Sequence, residues 1–101
     1  MNEETTYHIE EEIIQSLGLQ NTLTISVSAP SSVKVQAYSF PTLEHVYILE
    51  KDLYGNHMAE GSCFLAVQGR HGFIGRSMYV EKLRNYSIPE IQGIVQKIQE
   101  G

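Results

Sequence analysis

Residues 62–80 read Ser62-Cys63-Phe64-Leu65-Ala66-Val67-Gln68-Gly69-Arg70-His71-Gly72-Phe73-Ile74-Gly75-Arg76-Ser77-Met78-Tyr79-Val80, and this stretch decides the fold. Cys63, Leu65 and Val67 alternate with Phe64 and Ala66, so both faces of the first segment are apolar. That is the pattern of an inner strand with cover on each side. Gly69-Arg70-His71-Gly72 supplies the turn, and Phe73 to Val80 returns as the partner strand of a β-hairpin. Ile74, Met78 and Val80 share a face with Arg76. Gly75 interrupts the opposite face, where a glycine marks a bulge or the close approach of another backbone.

Working outward, Ser87-Ile88-Pro89-Glu90 has the Ser-x-x-Glu spacing of a capping box. Ile91, Ile94, Val95 and Ile98 follow at helical spacing, which predicts a C-terminal helix with one core-facing stripe; Gly93 on that helix costs some propensity and leaves room for tight packing. Upstream, residues 42–54 admit two readings. Leu43, Val46, Tyr47 and Leu53 fit a helix, whereas His45-Val46-Tyr47-Ile48-Leu49 favours a strand. The turn residues Asp52, Gly55 and Asn56 in the Lys51 to Gly61 stretch suit a long hairpin connection, so a strand over 45–50 is expected.

Leu23, Ile25 and Val27 alternate with polar residues over 21–28, and Val33, Val35 and Ala37 alternate with Lys34, Gln36 and Tyr38. With Ala29-Pro30-Ser31-Ser32 as the turn, these predict a hairpin with one wet face carrying Lys34, Gln36 and Tyr38. Ile9, Ile13, Ile14 and Leu17 predict a helix over 6–18, capped by Thr5 or Thr6 and stopped at Gly18. Glu10, Glu11 and Glu12 would lie in its first turns, where the helix dipole favours carboxylates. The predicted class is α+β: an antiparallel sheet of four to five strands with an N-terminal and a C-terminal helix, forming a single domain over 1–101.

Composition narrows the function classes. The chain has 101 residues and a formal charge of −5, which argues for a soluble protein and against nonspecific nucleic-acid binding, since that needs clustered cations. No apolar run reaches the roughly 20 residues that span a bilayer. Met1-Asn2-Glu3-Glu4 has none of the basic and apolar character of a signal peptide, so no membrane association and a cytoplasmic location are expected. Charge is uneven: residues 1–50 hold seven acids and one base, while residues 51–101 hold five acids and six bases, or −6 against +1. Arg70, Arg76, Lys82 and Arg84 fall within 15 positions, either as ordinary solvated bases or as one side of a two-signed binding surface.

Each candidate chemistry has a plainer counterpart. Gly69, Gly72 and Gly75 invite a phosphate-loop reading, but they match no nucleotide-binding spacing and precede a strand; a tight hairpin explains them. Cys63 with His57 or His71 is the available nucleophile pair, yet its apolar neighbours fit a small buried side chain. His57, Cys63 and His71 have no metal-ligand spacing, and no cofactor motif is present, so neither metal nor cofactor is expected. Six tyrosines without tryptophan suit an interface or a half-buried sheet equally.

The residues therefore point away from chemistry and towards binding. The expected function is a small regulatory or binding domain acting through another protein, as an inhibitor, immunity-type protein, adaptor or subunit; self-association into a homodimer through a sheet edge or a helix is also open. The alternative is a binder of an anionic small molecule or nucleotide. In both cases the candidate residues are Arg70, His71, Gly72, Arg76 and Ser77, with Tyr38 as an interface residue.

Overall fold

The computed structural model describes residue 9, residues 11–28 and residues 32–101. The elements run α1 (Glu11–Leu17), β1 (Gln20–Ser26), β2 (Lys34–Phe40), β3 (Leu43–Leu49), β4 (Ser62–Gly69), β5 (Gly72–Tyr79), α2 (Val80–Asn85) and α3 (Ile88–Glu100). The five strands form one antiparallel meander in the order β1-β2-β3-β4-β5, so the class is α+β and each strand pairs with its chain neighbours. The helix-cap role of Thr5 or Thr6, the position of Glu10 and the turn at Ala29-Pro30-Ser31 lie outside the described residues.

The sheet separates two apolar clusters, and β4 belongs to both. Cys63, Leu65 and Val67 join the larger one with Ile13, Leu17, Ile48, Leu83, Ile91 and Val95, beneath the three helices. Phe64 and Ala66 join the smaller one with Val35, Ala37, Leu49 and Met58, where Met58 and the partly buried Leu53 come from the β3–β4 connection. Ile13, Ile48, Leu65, Leu83 and Ile91 have no exposed surface, and burying each contributes about 1.5–3 kcal/mol.

Local sequence explains the helix ends. Gly18, at φ 67°, donates to the Gln15 carbonyl at 3.2 Å while Leu19 donates to Ile14 at 2.9 Å, the paired bonds of a Schellman stop. Ser87 caps α3: its hydroxyl accepts from the Glu90 amide, and the Glu90 carboxylate accepts from the Ser87 amide at 2.8 Å. These bonds hold the Glu90 carboxyl below its usual range. The β3–β4 connection is ordered by Asp52, whose Oδ1 accepts from the amides of Tyr54 at 2.9 Å and Asn56 at 2.8 Å.

Several expectations are corrected. Leu23 is 69% exposed instead of facing inward, because the β1–β2 register shifts between Asn21 and Leu23 and Leu23 sits at φ 64°. The β1–β2 hairpin has no simple wet face: Val35 and Ala37 enter the smaller cluster while Tyr38 and Phe40 enter the larger. Of the two readings of Gly75, the bulge is absent, since β4 and β5 pair without a register shift from Ser62–Tyr79 to Gly69–Gly72, and the close approach holds: a Cβ there would collide with the Leu65 carbonyl oxygen and lie 2.7 Å from Phe64 Cε2. Gly93 faces open space and permits no tight packing. The short helix α2 replaces the expected strand end at Val80, with Val80 and Leu83 directed to the core at i, i+3 spacing.

These two glycines give opposite expectations on substitution. Gly75→Ala should destabilise by about 1–3 kcal/mol through overpacking, whereas Gly93→Ala should stabilise by up to about 1 kcal/mol through helix propensity. Urea unfolding of both variants measures the contrast, and equal effects would contradict the packing described.

Candidate functional site

The β4–β5 hairpin and α2 position the cationic residues. A two-residue turn places Arg70 and His71 between the paired Gly69 and Gly72, at an exposed tip. Along β5, Arg76 pairs with Leu65 and therefore projects on the helix side, while Ser77 pairs with Phe64 and projects on the other. Arg76 lies four positions after Gly72, about 13 Å of extended chain. The tip pair and Arg76 thus occupy separate places, and the hairpin does not gather Arg70, His71, Gly72, Arg76 and Ser77 into one cradle.

Tyr38 also lies apart from them. The cross-strand row Tyr38–Ile48–Leu65–Arg76 puts it three strands from Arg76, about 14 Å at ordinary strand spacing. Its side chain is 8% exposed and packs in the helix-covered cluster. Burial, the Glu50 carboxylate and a hydrogen bond to that carboxylate raise its phenol above the ordinary value. The expectation of an exposed Tyr38 on an outer face is therefore corrected; this face of β2 is the one the helices cover, and only Lys34 and Gln36 extend beyond the buried part.

Arg76 and Ser77 instead share an open depression of about 320 Å³ with Met78, Tyr79, Lys82 and Tyr86. The strand-to-helix junction builds it. The Val80 amide donates to the Gly61 carbonyl at 2.8 Å, which fixes the start of α2, and Leu83 anchors the helix in the core. Lys82 is then carried outward, three residues after Tyr79, with Nζ 6.0 Å from the Tyr79 ring centroid, at the outer reach of a cation–π contact. Arg84 is held elsewhere, 3.5 Å from Glu12 of α1. Lys82, Tyr79 and Tyr86 are visible in the sequence as charge and aromatic content, but grouping them with Arg76 requires α2.

The site offers cations, hydroxyls and exposed ring surface. Arg70 and Arg76 make no ion pair with any described residue. Among the described residues, a neighbouring depression shares Tyr79 and is lined also by Glu60, Gly61, Val80, Glu81 and Arg84, and another lies between β3 and α3 beside Glu44 and Gln96. Among the described residues no three His, Cys, Asp or Glu side chains are grouped as metal ligands, and no helix is long and apolar enough to cross a membrane. Comparison with protein families, curated proteins and solved structures returns no significant match.

Cys63 is placed against a nucleophilic role. It is 1% exposed in the helix-side cluster, and burial pushes its thiol from 9.0 up to about 12. At neutral pH the reactive thiolate is suppressed and shielded from a substrate. The thiol should therefore resist Ellman's reagent in the native protein and react on unfolding. Because the folded state holds this proton more tightly, its stabilising effect is complete below pH 9.0 and is lost as pH rises towards about 12. The slope from this group is about 1.4 kcal/mol per pH unit. Tyr38, raised from 10.0, adds to the loss at higher pH. Urea unfolding of the wild type and Cys63→Ala across this range checks the sign: the variant should lose less stability with each unit of alkalinity.

Proposed function

We propose that this chain is a small binding or regulatory domain that engages another protein through β5 and the adjoining α2. The carrying observation is that β5 forms an end of the sheet while presenting exposed Ile74, Arg76, Ser77 and Tyr79. A strand whose outer edge pairs with no described strand is a site for association. Charge on the helix side of β5 favours a partner of opposite sign: Arg76 and Lys82 line the same depression, while Glu60 and Glu81 lie with Tyr79 in a neighbouring one. Complementary charges would steer encounter and fix orientation, with tyrosine and isoleucine supplying contact area.

A second reading is an anionic small molecule held by Arg76, Lys82 and Tyr86, which line that depression. It replaces the tip residues Arg70 and His71 by Lys82 of α2 and Tyr86 at its C-cap. Selective stabilisation by nucleotides or phosphorylated metabolites would favour this reading, because a native-state ligand raises the unfolding midpoint.

The protein-binding reading is tested by capture of a native partner with the wild type and with the double variant Arg76→Ala, Lys82→Ala. The variant should keep the fold and lose about tenfold in affinity, equivalent to about 1.4 kcal/mol. Undiminished capture of the same partner would remove β5 and α2 as the interface.

A further inference from the structure

We infer that β5 accepts an extended acidic segment of a partner protein as a sixth strand. This rests on β5 as the interface and adds how the partner is held and what its chemistry is.

The two ends of the sheet are not equivalent. At β1 the ladder shifts register between Asn21 and Leu23, and Asn21 Oδ1 takes the Leu23 amide at 2.7 Å. A bulge and a locally consumed donor disfavour continuous pairing there. β5 runs eight residues with no register shift against β4, and Gly72–Tyr79 contains no proline and a single charge, Arg76.

Hydrogen-bond alternation identifies the groups on offer. Val80 donates to Gly61, one step beyond the Ser62–Tyr79 pair. Met78, Arg76 and Ile74 therefore occupy bonded positions with β4, and the amides and carbonyls of Phe73, Gly75, Ser77 and Tyr79 point to the free side. An added strand finds donors and acceptors at every second residue across this edge, the arrangement used in strand addition.

Charge selects the occupant. Arg76 stands on one side of the edge, Lys82 beyond its C-terminal end, and Arg70 at the hairpin tip. A second copy is disfavoured in the register centred on Arg76, where antiparallel β5–β5 pairing sets the two Arg76 side chains opposite. Directly opposed like charges destabilise a strand pair. A segment alternating Asp or Glu with β-favouring residues instead matches both the backbone and the cations, with Tyr79 beside its apolar positions.

The test uses the purified full chain and a displayed library of random nonapeptides. Enrichment of proline-free sequences with acids at alternate positions is expected. For a selected peptide, N-methylation on the amides facing β5 should weaken binding at least tenfold, while methylation on the other edge should change it less than twofold. Enrichment without acidic alternation, no enrichment, or equal effects of the two methylation patterns would overturn strand addition. A dimer that buries β5 would overturn it too, by making a second copy the occupant. If the library fails but the Arg76, Lys82 variant still loses its native partner, β5 and α2 remain the interface and only the added strand is refuted.

Discussion

Burial of β4 on both faces is the constraint on which the rest of the structure depends. Leu65 is fully enclosed under the helices and Ala66 on the opposite side, so a one-residue slip would exchange the contents of two clusters. Gly75 keeps β5 in step with this strand: its missing Cβ leaves room for the Phe64 ring and the Leu65–Ala66 backbone. The same pairing sets Arg76 on the helix side and Ser77 on the other. The local chemistry of β5 thus follows from the packing of its neighbour β4.

The sheet ends differ because their sequences treat backbone groups differently. Asn21 bends and occupies part of β1, and Thr22 Oγ1 adds a 3.0 Å bond to the Ala37 carbonyl. β5 ends where α2 begins, and α2 returns Lys82 to the strand's flank without covering the exposed side chains of Arg76, Ser77 and Tyr79. Helix packing secures one side of the hairpin, while among the described residues no strand pairs with its outer edge. That division between a fixed core and an open edge is the physical basis of the binding proposal.

Much of this architecture was legible in the residues. The doubly apolar run Cys63–Val67, the turn from Gly69 to Gly72 and the Ser87–Glu90 cap each combine a periodicity with a specific stop or start. Tyr38 was less legible because alternation says which residues share a face, not which face the helices cover; that follows from the Tyr38–Ile48–Leu65 row. Leu23 departed because a bulge breaks the period of two. α2 is six residues long, too short to show more than the Val80, Leu83 spacing, and without it Lys82 and Tyr86 could not be joined to Arg76.

Native-state amide hydrogen exchange, resolved by residue along β5, tests the central claim most directly. An open edge in the stated register predicts slow exchange at Ile74, Arg76 and Met78 and fast exchange at Phe73, Gly75, Ser77 and Tyr79. Uniform protection would mean the edge is already covered, and the opposite alternation would mean the register is wrong; either result would contradict β5 as the open side of this sheet.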